Sequence, residues 1–170
     1  ILQSIQNDIA ILRLETLVFD GVPARIFRST PPVPFAGEVI GFGQIGSSAT
    51  GLLQDNGRIR YHGGVVVDYI GSRDVVGSTT NTLSYAMDQA DESNTARGDS
   101  GGPMFVHLEG RVPQIVGVTS YGDGSAPNVG ARSHGERVDV HAPWIDSILA
   151  RDSTGPAADV LRSDDITQPG

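Results

Sequence analysis

Apolar side chains in this 170-residue chain fall in short alternating or continuous runs broken by glycine and proline. That spacing predicts strands rather than helices. At the start, Ile9, Ile11 and Arg13 fall on one face of an extended segment, and Ala10, Leu12 and Leu14 on the other. Residues 15–36 lose the alternation and collect prolines at 23, 31, 32 and 34, which reads as an extended connector. Strand candidates follow at residues 37–43, 58–70 and 82–87. Residues 104–108 and 114–119 have a hairpin pattern across Glu109-Gly110-Arg111. The period changes near the end, where Trp144, Ile145, Ile148 and Leu149 share a helical face and Pro143 suits a first turn. Residues 151–170 are polar and interrupted by Gly155, Pro156 and Pro169, and are expected to form a flexible tail. The pattern is all-β with one terminal helix.

Composition narrows the function classes. A net charge of −8 argues against a nucleic-acid surface. No segment is long and apolar enough for a membrane-spanning helix. With no cysteine, neither disulfides nor cysteine metal sites are available, and no local acidic cluster supports a metal. Gly41, Gly43 and Gly46 have the spacing of a dinucleotide fingerprint, but Ser47-Ser48-Ala49-Thr50-Gly51 follows where a helix should begin. No cofactor is therefore expected. The first residue is isoleucine, not methionine, so the sequence reads as a processed product or a fragment.

The densest chemistry lies in Arg97-Gly98-Asp99-Ser100-Gly101-Gly102-Pro103. A serine between glycines in a tight turn presents its hydroxyl outward. Glycine at 98 permits a backbone conformation that leaves the amides of Gly98 and Ser100 able to bind one developing oxyanion. Nucleophile and anion stabiliser together are what acyl transfer needs. Two blander readings compete: a structural glycine turn, or an Arg-Gly-Asp adhesion tripeptide at 97–99. The six residues from Gly98 to Pro103 resemble the nucleophile motif of the trypsin/chymotrypsin-like serine peptidases.

That resemblance implies a double β-barrel closed by a C-terminal helix, of which this chain holds the complete second barrel and little of the first. Residues 1–15 would be a remnant strand of the first barrel, 16–36 the inter-barrel connector, 37–150 the second barrel with its helix, and 151–170 the tail. Asn7-Asp8-Ile9-Ala10 is similar to the segment carrying the family's triad aspartate, which makes Asp8 the residue that orients a histidine. Ser120-Tyr121-Gly122 resembles the edge that pairs with substrate backbone, and its serine is expected to bond Asp8. Asn94 falls at the base of the primary pocket, with Thr95, Ser120, Tyr121, Gly122 and the stretch around Ser133 and His134 as walls and Arg97 at the lip. A neutral amide at the base does not match a lysine or arginine side chain.

The resemblance also implies a histidine base in a motif ahead of Asp8. Seven residues precede Asp8 and none is histidine. His62, His107, His134 and His141 all fall in the second barrel or its helix. Asp99 matches the buried carboxylate that pairs with an N-terminal amine in mature family members, but Ile1-Leu2-Gln3-Ser4 lacks the matching glycines. The expectation is a secreted, bacterial-type serine endopeptidase acting on peptides or proteins. This chain would then be inactive alone, its base lying on a missing N-terminal segment or chain. The competing reading is a non-catalytic homologue that binds a partner through the same cleft.

Overall fold

The computed structural model describes residues 7–16, 18–53, 59–75, 78–88, 92–122 and 127–152. The expected tail beyond Asp152 and the opening Ile1-Leu2-Gln3-Ser4 lie outside them. Two compact units are distinguished, residues 1–140 and 141–170.

Among its described residues the first unit holds eight strands: β1 (Phe35–Gly41), β2 (Gly46–Ser47), β3 (Gly51–Leu52), β4 (Tyr61–Val75), β5 (Ser78–Ala86), β6 (Pro103–Val106), β7 (Gln114–Gly122) and β8 (Arg132–Arg137). Six of them close an antiparallel barrel in the order β1-β4-β5-β8-β7-β6, with β6 pairing back onto β1. Closure removes the unpaired edges that an open sheet of these strands would expose. The short β2–β3 ribbon stands apart from the barrel.

Strand alternation sends one set of side chains inward. Val39, Val65, Val67, Leu83, Tyr85, Met104, Val106 and Val116 form a single buried cluster, joined by Phe27 and Phe35. Each such aliphatic or aromatic side chain contributes about 1.5–3 kcal/mol on burial. On β5 the alternate residues Thr82 and Ser84 are buried as well, so this strand is covered on both faces.

The connector reaches the barrel where Ile26 bridges Ile115 in parallel, with Phe27 N–H donating to the Ile115 carbonyl and Ile115 N–H to that of Arg25. Thr30 and Arg137 both bond Asp139, which ties the connector to the end of β8.

Two expectations change. The alternation over residues 9–14 predicts a strand, but no ladder forms there. Its side chains are largely solvent-exposed, because among the described residues no neighbouring strand offers hydrogen-bond partners. Conversely, β4 runs five residues past the predicted end at Ile70, to Val75, because residues 71–75 pair with β5 from Thr82 back to Ser78. Backbone pairing does not require apolar side chains, so a polar strand end gives no sequence signal.

In the second unit, α1 (Ala142–Asp152) starts beside Pro143, as the sequence predicts. The His141 ring meets Trp144 edge-on at 6.4 Å between centroids. Arg151, in the last turn, donates to the Ser147 carbonyl, where a cation also suits the helix dipole. Of the expected apolar face, Ile145 and Ile148 are half-buried, whereas Trp144 and Leu149 are exposed.

Candidate active site

The turn at 97–102 sits between the loop after β1 and the middle of β7. Gly98 and Gly101 have φ of +98° and +84°, a region costly for other residues. Thr119 clamps the turn in both directions: Gly101 N–H donates to its carbonyl, and its own N–H to Gly102, each at 2.9 Å. Gln44 N–H donates to the Arg97 carbonyl at 2.9 Å. Asp99 N–H bonds Ala96 and Gly102 N–H bonds Asp99, so the turn's alternate amides are used internally. The amides of Gly98 and Ser100 have no acceptor among the described residues.

Asp99 is the pin of this turn. Its Oδ1 accepts from Gly43 N–H and its Oδ2 from Ala96 N–H, both at 2.8 Å. The side chain lies against a glycine cradle: a Cβ on Gly41 would stand 1.9 Å from Asp99 Oδ1, and one on Gly43 2.6 Å. The Gly41-Phe42-Gly43 spacing that mimics a nucleotide fingerprint thus makes room for a carboxylate of the chain itself. It also disposes of the adhesion reading, since the Asp99 carboxylate is turned inward onto these amides.

Ser100 is exposed, and its Oγ donates to the Ser120 carbonyl at 3.4 Å. Ser120 Oγ in turn donates to Asp8 Oδ2 at 2.5 Å. Asp8 and Ser100 are therefore brought to opposite sides of one residue of β7. Neither bonds a histidine. His62 and His107 each engage a different oxygen of Glu38, at 2.6 and 3.1 Å, on the outside of β1. His134 is fully buried on β8 and stacks on the Tyr121 ring, with centroids 4.4 Å apart. Among the described residues no group of three or more histidine, aspartate or glutamate side chains is placed to hold a metal ion.

Beside Ser100 opens a cavity of about 380 Å³. Asn94, Thr95, Arg97, Ser120, Tyr121 and Gly122 all line it, as does Ser133. Its base is a continuous hydrogen-bond chain. Tyr85 OH donates to Thr95 Oγ1 at 3.2 Å, Thr95 Oγ1 to Ser133 Oγ at 2.8 Å, and Ser133 Oγ to Asn94 Oδ1. Asn94 Oδ1 also takes its neighbour's amide, from Thr95, and Nδ2 donates to the Ala131 carbonyl. Burial pushes the Tyr85 phenol up to about 12, so this chain stays neutral across ordinary pH.

Leu52, Ala96, Thr119, Ala131 and Arg132 line the cavity too and were not legible as site residues. Arg132 forms a two-pronged pair with Asp68 on β4, at 2.7 and 2.5 Å, and also donates to Ser84. Its hydrogen bond holds the Asp68 carboxyl below the usual carboxylate range, against partial desolvation. Only the clustering of Ala131 and Arg132 next to Ser133 hinted at them.

Comparison with known proteins bears on this arrangement. A search of curated proteins gives no match. Among solved structures, the fold is similar to that of mouse neuropsin, described as a serine protease expressed in the limbic system of mouse brain. Identity is 18% and the TM-score 0.54, over 75% of this chain and 54% of neuropsin. The chain thus spans about half the length of that relative, and the likeness is one of fold. The sequence model of the Trypsin family matches residues 2–145, most of the chain and all of the barrel. The chain belongs to the trypsin family.

Proposed function

We propose that the parent protein is a serine endopeptidase and that this chain carries its nucleophile, oxyanion donors and substrate cleft but not its base. Ser100 Oγ adds to the carbonyl carbon of a peptide bond. Its proton passes to a histidine contributed from outside these residues and then to the departing amine. Water later cleaves the resulting ester and frees Ser100. Asp8 orients that histidine, and the amides of Gly98 and Ser100 hold the oxyanion. The edge at Ser120, Tyr121 and Gly122 pairs with substrate backbone, while Asn94, Thr95 and Arg97 contact the side chain preceding the cut. Such a peptidase would act on exported or extracellular proteins.

The observation that carries this reading is the chain Ser100 Oγ to Ser120 carbonyl, Ser120 Oγ to Asp8, alongside two amides with no acceptor among the described residues. It links the candidate nucleophile to a carboxylate through one residue, which supports Asp8 as the group that orients the base. A serine hydroxyl without a base is a weak nucleophile at neutral pH. A fluorophosphonate probe is therefore expected to label Ser100 in the longer gene product and to leave the 170-residue chain almost unlabelled. Equal labelling of both would end the assignment of a missing base.

A second reading is a binding module that uses the cleft without catalysis. It is favoured by the lack, among the described residues, of a histidine partner for Ser100 or Asp8. Absence of labelling in the longer product as well would select it.

A further inference from the structure

Resting on the serine-peptidase reading of the cleft, we propose that the cavity beside Ser100 selects an acidic side chain, so that the substrates are peptides with glutamate or aspartate before the cut. The charge around the cavity is one-sided. Among the described residues, two arginines line it and no aspartate or glutamate does. Arg132 is matched by Asp68 and adds little net field at the cavity. Arg97 differs. Its side chain is exposed at the mouth and has no ion pair or hydrogen bond among the described residues. Among the described residues, Arg97 is thus the lining cation without a carboxylate of its own.

The base of the cavity agrees in polarity. Asn94 is locked by bonds at both ends of its amide, so it presents no charge and does not turn to meet an ammonium. Thr95 and Ser133 bring hydroxyls to the floor. Thr119 and Tyr121, also lining the cavity, each carry a buried hydroxyl with no partner among the described residues. Thr119 is only 5% exposed, so a side-chain hydroxyl that well buried is normally paired. The floor hydroxyls already give their protons to Ser133 and Asn94, so the donor for a carboxylate is the Arg97 guanidinium at the cavity wall. A lysine or arginine side chain would instead enter without a counter-ion and pass a like charge. The net charge of −8 opposes this at long range, but that field is screened beyond about 8 Å at physiological salt, whereas Arg97 acts at contact.

Equilibrium binding separates this claim from the chemistry, because it needs no base. The probes are N-acetyl-Ala-Ala-Pro-Xaa free acids with Xaa as Glu, Gln, Lys or Phe, titrated into the 170-residue chain and followed by NMR shifts. All four share the terminal carboxylate that would rest on the Gly98 and Ser100 amides, so differences report the side chain alone. The glutamate peptide is expected to bind about fivefold tighter than the glutamine peptide, with lysine weakest, the upper end of what an exposed charged contact allows. In 1 M salt the preference should shrink to about twofold. Arg97→Gln should erase it and Arg97→Lys should keep most of it. A lysine peptide that binds as well as the glutamate one, a preference that survives Arg97→Gln, or no binding by any peptide overturns the proposal. Labelling of Ser100 in the longer product would be untouched by such a result, so the two readings fail separately.

Discussion

The hydroxyl of Ser120 and the carboxylate of Asp8 meet at 2.5 Å although 112 positions separate them in the chain. This single contact ties the strandless opening segment to the end of β7, beside the candidate nucleophile. Ser120→Ala should cost about 1–2 kcal/mol, the range for a hydrogen bond to a charged acceptor that is not deeply buried. More tellingly, amides around Asp8 should exchange faster with solvent while those of β7 and β8 hold their rates. Unchanged exchange in the opening segment would show that the contact does not anchor it.

Asp99 offers a test of what shapes the nucleophile turn. Replacing it by asparagine sets an NH₂ group against one of two backbone donors and should cost about 2 kcal/mol. Gly41→Ala attacks the same cradle from the other side, since the added Cβ would stand 1.9 Å from Asp99 Oδ1. A loss of about 1–3 kcal/mol is expected from that overpacking. The double variant should lose less than the sum, which a thermal or chemical denaturation cycle measures. Strict additivity would mean that the two residues do not share one packing site.

The barrel interior imposes an alkaline limit. The Tyr85 phenol is raised from 10 to about 12, chiefly by burial, with only partial relief from Thr95 and Ser133. Because the folded value lies above the unfolded one, its stabilising share is complete below pH 10 and disappears as pH climbs through 12. The shift corresponds to roughly 3 kcal/mol. Denaturant midpoints at pH 9 and 11.5 should therefore differ more for the native sequence than for Tyr85→Phe. Equal slopes for the two would dismiss the phenol as the source.

Leu12, Leu14, Val18, Phe19 and Val22 are each more than 60% exposed along one short segment. A run of apolar side chains in water favours self-association. Sedimentation velocity should show larger species as protein concentration rises, and the double change Leu12→Ser with Phe19→Ser should return the monomer. A single sharp boundary at every concentration in the native sequence would refute this.

Strand positions with hydrophobic alternation were readable in advance: Val39, Val65, Val67, Leu83, Val106 and Val116 all fall inside predicted strands and all enter the core. The nucleophile turn was readable too, because glycines at positive φ and a serine between them leave a local signature. The last five residues of β4, the two-residue strands β2 and β3, and the lack of pairing at residues 9–14 were not. Each depends on whether a partner strand is present rather than on the segment's own composition. Arg132 escaped notice for a related reason, since its meaning comes from Asp68 on another strand.

By itself the chain's order of residues determined a β-rich domain with one terminal helix, a serine held in a glycine turn, and seven residues ahead of Asp8 without a histidine. Those are local properties, set by side-chain periodicity and backbone freedom within a few residues. Tertiary structure alone decided that Gly41 and Gly43 serve Asp99, that His134 stacks on Tyr121, and that Arg132, lining the cavity, pairs with Asp68. Such relations join residues of different segments, and only closure of the barrel brings their side chains within reach.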